Sequence, residues 1–377
     1  MTNKKTVFYI DPQSYANLAV YDHSLLSNNK ELCITFWGSY LYDYKQHTNY
    51  DFVPVFRYNK KRTIFKLISY FFSLLKIFIA ILKQKPDIIH IQWIKIWSVD
   101  YCFLKLVKLL TSSKVIYTAH NLLPHDSENQ HDKYILYYKT VDSIIVHVES
   151  SKKELIKKFG INSSKINVIP HGVLDFDIDE NLVETYREEL HRKMGFKNQL
   201  VFATLGNQSF YKGSDLIARV WKDNEFLHND EAYKLIILGK NNQIDFSEIN
   251  QIKNVYIEDR YLTNEEFIGA LRCSDIILLP YRTISQSGVL LSCINECVPV
   301  IVSNTGGLGE IIEQFPIGWN MGESNINNLQ KSILETSQLQ SRIKNLKHDI
   351  NLWKLAKEFY SWDSISLKTF ELYKNMN

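Results

Sequence analysis

Two α/β domains, each a parallel sheet covered by helices, are predicted by three features of the sequence. These are the chain length, an alternation of short apolar runs with helix-length segments, and one polar interruption between two series of runs. At 377 residues the chain exceeds an ordinary single core, and two domains of somewhat under ~200 residues each follow. The first series of runs is 7–10, 32–36, 88–91, 114–118, 143–148 and 166–169, and the second is 200–205, 234–238, 255–257, 275–279 and 299–302. Apolar runs of about four to six residues, bounded by turn residues and not alternating, fit strands buried on both faces. Strands alternating with helices imply a parallel sheet with helical crossovers. The interruption is the charged stretch 175–198, after Pro170-His171-Gly172. It is expected as linker and start of the second domain, so that 1–175 and 176–349 are the domains and 350–377 is a C-terminal helix packing back on the first.

Hydrophobic residues at 45% and charged residues at 23% describe an ordinary globular protein, and a net charge of +3 is too small to point to nucleic acid. Cys33, Cys102, Cys273, Cys293 and Cys297 are odd in number and scattered. No second pair or histidine completes a zinc set with Cys293 and Cys297. They read as reduced, mostly buried thiols, pointing to the cytoplasm. Met1 to Lys5 leads straight into an apolar run, and no secretion signal is expected.

Segment 60–85 has an apolar core, 64–82, flanked by Lys60, Lys61, Arg62, Lys83 and Lys85. Lys66 and Lys76 interrupt it, each costing about 3 kcal/mol at mid-bilayer depth, and it falls between two expected strands of one sheet. A helix packed on the sheet follows, with an outer side that is either membrane-facing at an anionic surface or simply apolar packing. The segment 350–373 reads as helical; Trp353, Phe359, Trp362 and Phe370 give it a face that docks.

Chemistry concentrates in 279–312. A strand is followed by the loop 280–287, and a helix opens near Gly288. The N–H groups of Ser287, Gly288, Val289 and Leu290 would face a ligand beyond the strand end, where a helix start offers free donors and partial positive charge. A second turn, Gly206-Asn207-Gln208-Ser209-Phe210-Tyr211-Lys212-Gly213, closes the strand 200–205. Its glycine lets a ligand approach the backbone, and Lys212 can place a point charge on a diphosphate. Each turn alone is also compatible with a plain cap or a surface lysine. In the first half, Thr118-Ala119-His120-Asn121-Leu122-Leu123-Pro124-His125 closes another strand. A strand-end histidine such as His120 is a functional candidate. His90 and Trp93, within His90-Ile91-Gln92-Trp93, stand where they could line the same place, while His147 in an apolar run is expected to serve structure.

In this order, from Pro170-His171-Gly172 through Gly206…Lys212-Gly213 to Pro280…Glu310 with Asn304-Thr305-Gly306-Gly307-Leu308-Gly309-Glu310-Ile311, the chain resembles the GT-B glycosyltransferases of retaining family 4. The resemblance implies two facing Rossmann-like domains with an interdomain cleft, the first presenting acceptor and the second holding a nucleoside-diphosphate sugar. It implies that Lys212 and the Ser287-Gly288-Val289 backbone contact the diphosphate beside Gly206 and Asn207, and that His120 lies near the transferred sugar, with Asn121 and His125 as lesser candidates. Three departures stand out. Asn207 replaces an arginine common in relatives, so Lys212 acts alone or with Arg282 or Arg260. The paired-glutamate positions hold Ile284 and Ser292, and Glu296, one turn on, either replaces the ribose contact or faces solvent. The opening glycine loop reads Asp11-Pro12-Gln13-Ser14-Tyr15-Ala16-Asn17, so acceptor recognition through Ser14, Tyr15 and Asn17 differs from relatives.

The implied reaction is sugar transfer with retention and without a metal or other cofactor. Lys212, the helix start and Arg282 would meet the leaving-group charge. The implied partners are a sugar nucleotide, a saccharide or lipid-linked saccharide acceptor and, through 60–85, the inner membrane surface, in capsule, exopolysaccharide or lipopolysaccharide assembly. The rival readings are another reaction on the same fold, such as that of an epimerase or phosphorylase, and a non-catalytic sugar-nucleotide-binding or partner subunit.

Overall fold

The computed structural model describes residues 4–15, 17–44, 49–57, 63–123, 131–173, 177–229, 231–242 and 244–376. The chain forms two compact units, Met1–Gly172 with Ser361–Asn377, and Val173–Tyr360.

The first unit contains β1 (Thr6–Ile10), α1 (Asn17–Ser27), β2 (Cys33–Ser39), β3 (Asp51–Phe56), α2 (Thr63–Gln84), β4 (Ile88–Ile91), α3 (Trp97–Leu110), β5 (Lys114–Thr118), α4 (His131–Thr140), β6 (Ser143–Val146), α5 (Glu149–Lys157) and β7 (Ile166–Val168). Its sheet runs β3-β2-β1-β4-β5-β6-β7, and every pair is parallel. Alternation along β1 sends Phe8 and Ile10 to the core under α2, α3 and α4. Val7 and Tyr9 point to the opposite core, with Tyr21, Leu25 and Leu26 of α1.

The second unit contains α6 (Glu180–Met194), β8 (Leu200–Leu205), α7 (Ser214–Lys222), β9 (Tyr233–Leu238), β10 (Val255–Glu258), α8 (Asn264–Cys273), β11 (Ile276–Leu279), α9 (Gly288–Glu296), β12 (Val300–Val302), α10 (Gly307–Gln314), β13 (Gly318–Asn320), α11 (Ile326–Ser337), α12 (Gln340–Lys347) and α13 (Ile350–Phe359). Its parallel sheet runs β10-β9-β8-β11-β12-β13. In each sheet the chain starts centrally, winds to one edge and returns, so a switch point lies between β1 and β4 and another between β8 and β11.

Four expectations are corrected. β3 and β13 are absent from the apolar runs; both are edge strands with little full burial, DFVPVF and the three-residue GWN. Pro54, tolerated at an edge, breaks the pattern of β3. The stretch 175–198 is more than a linker. Asp179 caps α6, accepting from Asn181 N at 2.9 Å, and Val183, Tyr186, Leu190 and Met194 form its buried stripe. The C-terminal segment is two helices, α13 in the second unit and α14 (Trp362–Asn375) in the first. Among the cysteines only Cys293 is buried, and Cys33 and Cys102 are exposed.

Candidate functional site

In the second unit the site grows from the end of β8. Gly206 has φ 86°, and a Cβ there would lie 3.3 Å from Lys212 Nζ and 4.0 Å from Val289 Cγ2. The glycine, the ammonium and the first turn of α9 therefore converge at the switch point. Gln208 shapes the turn, its amide donating to Gly206 O at 2.7 Å and accepting from Ser214 Oγ at 2.9 Å. Gly213, at φ 72°, follows the short 3-10 turn Phe210–Lys212; any Cβ there would run into Pro280 O. Lys212 is partly buried, and its ammonium has no salt bridge or hydrogen bond among the described residues; the Tyr281 ring lies 5.6 Å away. Burial pushes its ammonium down to about 8. A desolvated cation without a protein counter-charge is arranged to receive an anion.

The neighbouring charges are already committed. Arg282 grips Asp215 with two bonds of 2.7 Å and covers the Phe210 ring at 3.9 Å, so its charge is already paired. Its own N–H donates to Tyr211 O at 2.8 Å, so it braces the lysine turn. Arg260 is held by Glu258 and, through two bonds, by Glu266, whose carboxylate also closes the Thr263 capping box. Glu296 binds Arg272 at 2.7 Å and ends α9, about 12 Å along the helix from Gly288. Between the two readings of Glu296, ribose contact or solvent, the structure shows a carboxylate spent on a structural ion pair.

At the start of α9, Ser287 is the N-cap and its Oγ accepts from Leu290 N at 3.3 Å. Leu291 N bonds Ser287 O. Of the expected donors, Gly288 and Val289 keep N–H groups beyond reach of any intrahelical carbonyl. Asn207 is exposed beside Gly206. The preceding loop is tied to the glycine-rich turn by Gly307 N donating to Ser285 O at 2.9 Å. Sequence reasoning missed Gln286, whose side-chain Nε2 and Oε1 are both buried without partners, an amide with its bonding capacity unused. The Asp-x-Asp triplets of the chain, Asp175-Phe176-Asp177 and Asp177-Ile178-Asp179, precede α6, where Asp179 serves as cap.

In the first unit the strand ends gather histidines. His120, just past β5, has Nε2 2.9 Å from Gln92 Oε1 and Nδ1 3.1 Å from His147 Nε2. His147 Nδ1 donates to Ile169 O at 2.9 Å. Trp93 stacks on His120 with centroids 4.2 Å apart and planes at 7°, and Tyr21 meets its edge at 5.6 Å. Burial lowers His120 well below the usual imidazole value and takes His147 to about 4 and His171 to about 3. All three are neutral near pH 7.

His90 does not line this place. It is buried, joined to Tyr373 Oη of α14 and, at 2.7 Å, to Thr118 Oγ1. Ser14 is also internal, donating to Asp11 O at 3.1 Å and accepting from Ser39 N at 2.7 Å. Neither is free for an acceptor. Tyr15 is partly exposed with its N–H on Gln13 O; Asn17 opens α1; Asn121 follows His120 and is partly exposed. His125 lies outside the described residues. The missed residues are Gln92, visible in the strand-end tetrapeptide that contains it, and the pair Asp11 and Asp22. Burial raises Asp11 to about 7, and Asp22, which accepts from Tyr9 Oη at 2.6 Å, is raised by burial and by the Asp11 charge.

Residues 33–174 match the sequence pattern of Glycosyltransferase Family 4. An uncharacterized glycosyltransferase of Methanocaldococcus jannaschii is 23% identical over 251 residues, covering 64% of this chain and 62% of that one. Two further curated relatives are covered over 49% and 51% of their length, so the chain spans about half to three fifths of those it matches. A Rickettsia africae glycosyltransferase structure has a TM-score of 0.67 at 16% identity and 99% coverage of both chains. Anabaena HepE in complex with UDP-glucose has 0.69 at 13% identity, covering 98% of this chain and 99% of that one. Two parallel-sheet, Rossmann-like units and these structural likenesses give the chain the GT-B fold, and its residues 33–174 resemble Glycosyltransferase Family 4.

Proposed function

We propose that the chain transfers a sugar from a nucleoside-diphosphate sugar to a saccharide or lipid-linked saccharide acceptor, with retention and without a metal, in cell-surface polysaccharide synthesis. The observation that carries this reading is the unpartnered Lys212 ammonium beside Gly206 and the start of α9. Charge that grows on a departing diphosphate would meet a fixed cation and two N–H donors in a poorly solvated place, and preorganised charge of this kind lowers the barrier. The HepE structure carries UDP-glucose and an Arabidopsis thaliana starch synthase of the same fold carries ADP, which supports a nucleoside-diphosphate donor. Neutral His120 has both ring nitrogens engaged, by Gln92 and His147, and would meet a sugar hydroxyl by exchanging the Gln92 contact for it. The acceptor proton would leave with the departing phosphate in a same-face substitution.

Ile284 and the buried Ser292, where relatives carry paired glutamates, favour a second reading, a sugar-nucleotide-binding subunit without turnover. Thermal shift with UDP, GDP and ADP tests the site. A nucleotide at 100 times its dissociation constant adds about 2.7 kcal/mol, and Lys212→Ala should abolish that response. If no nucleotide shifts the melting curve at millimolar concentration, the donor site is disproved. Release of nucleoside diphosphate from a sugar nucleotide by wild type, lost in Lys212→Ala, separates enzyme from binder.

A further inference from the structure

The helix α2 is apolar on two sides. Tyr70, Leu74, Ile77 and Ile81 enter the core beneath it. On the other side Phe65, Ile68, Phe72, Leu75, Ile79 and Leu82 recur at alternating steps of three and four, and all are exposed, Phe72 to 59%. Leu67 and Phe71, also exposed, widen the stripe to about 160° of arc at ~100° per residue. The neighbouring α3, in contact through Phe78 and Phe103 with ring centroids 6.3 Å apart, continues the surface with Leu110 and with Leu109, exposed to 78%. Isolated exposed apolar side chains need no explanation, but a contiguous patch marks an interaction surface.

Charge identifies the partner. Lys66, Lys76, Lys83, Lys85 and Lys105 are exposed on or beside this surface, and α2 has no acidic residue. The acid of α3, Asp100, is buried and accepts from Tyr70 Oη and the N–H groups of Lys95 and Ile96. Asp87, just beyond α2, is taken by Thr6 N at 2.7 Å. A second copy of the chain would set lysine against lysine, and the arc is broader than the a/d seam of a paired helix. Phenylalanine and aliphatic side chains edged by lysine instead match a lipid surface of negative charge. α2 is long and apolar enough to cross a membrane, yet its chain continues at each end into strands of one sheet and its inner side is filled by core.

We propose that the outer face of α2, with the end of α3, seats the first unit on an anionic membrane, apolar side chains at the acyl boundary and lysines among the headgroups. The proposal rests on this face and not on the transfer reaction.

Flotation of the full chain with vesicles tests it: phosphatidylcholine alone, and phosphatidylcholine with about one third phosphatidylglycerol. The anionic vesicles should bind the protein, roughly tenfold more than neutral ones, with part of that preference lost in ~0.5 M salt. The double change Phe72→Ser and Ile79→Ser should cut binding to both by roughly tenfold or more. Lys76→Glu with Lys83→Glu should remove only the anionic preference. These positions are exposed, and unchanged melting curves would show that the variants fold. No binding to anionic vesicles, or binding untouched by both pairs, overturns the proposal. So does a wild-type dimer that the serine pair makes monomeric. Nucleotide response is read separately, so failure here leaves the donor site untouched.

Discussion

His147 Nε2 lies 3.1 Å from His120 Nδ1, and the other nitrogen of His147 already donates to Ile169 O. Neutral His147 can then only accept, which puts the proton of neutral His120 on Nδ1 and leaves its Nε2 bare. Toward that nitrogen stands the Gln92 amide at 2.9 Å. With its oxygen inward and its NH2 on His90 Nε2 at 3.1 Å, the His120–His147 pair carries one proton more than two neutral rings; with its NH2 toward His120, both rings are satisfied neutral.

Burial favours the neutral pairing, and the Gln92 amide is expected to turn with any proton that His120 gains. Gln92→Glu should raise the His120 pKa by about 1–3 units, because a carboxylate would face the imidazolium. Gln92→Leu should leave it low. Nitrogen chemical shifts of the imidazoles across a pH titration check both. No movement in Gln92→Glu would mean that the contact is not maintained in solution.

Lys212 opposes folding while it is charged. Burial brings its pKa in the folded chain down to about 8 from the ordinary 10.5. The penalty is fully present below pH 8 and is relieved as pH rises through 8 toward 10.5. Lys212→Met should therefore stabilise the nucleotide-free protein at pH 7 by about 1–2 kcal/mol, after allowing for its partial exposure. The gain should shrink at pH 10. In wild type, diphosphate affinity should fall as pH passes 8, checked by calorimetric titration at pH 7 and 9.

The Arg282–Asp215 pair holds the lysine turn from outside. Arg282→Lys keeps the charge but loses the two-bond grip and the cover over Phe210. A loss of about 1–2 kcal/mol of stability is expected, with a weaker nucleotide response than wild type and a stronger one than Lys212→Ala. Chemical denaturation and thermal shift measure the two effects. A nucleotide response equal to wild type would remove the bracing role.

Asp11 shows the opposite pH sense. Its pKa is raised from 3.8 to about 7, so its charge burdens the folded state. The cost is absent below pH 4 and grows as pH rises to 7. Asp11→Asn keeps an oxygen for Gln13 N and should gain about 2 kcal/mol at pH 8, with little gain at pH 4. Denaturation at the two pH values decides it, and equal effects would mean that Asp11 is solvated.

The turns at Gly206–Lys212 and Ser287–Val289 were legible because glycines, serine and lysine at strand ends announce close approach and free donors locally. The commitments of the surrounding charges were not. Arg282 finds Asp215, and Arg272 finds Glu180 and Glu296, through distances in sequence that no motif spans. His90 reads as ligand-facing because it closes a strand, and Ser14 because it stands in the loop that the resemblance assigns to the acceptor. Their inward direction depends on Ser39 and Tyr373, supplied by other strands and by the last helix.

The sequence by itself determined the parallel α/β plan, since strands buried on both faces must be continuously apolar, and the two-sided greasiness of α2. Only the tertiary structure decided that edge strands β3 and β13 complete the sheets, that α13 and α14 part company at Tyr360, and which polar groups are spent on each other. Periodicity is written in neighbouring residues, whereas the partner of a buried charge is chosen by the packing that brings distant segments together.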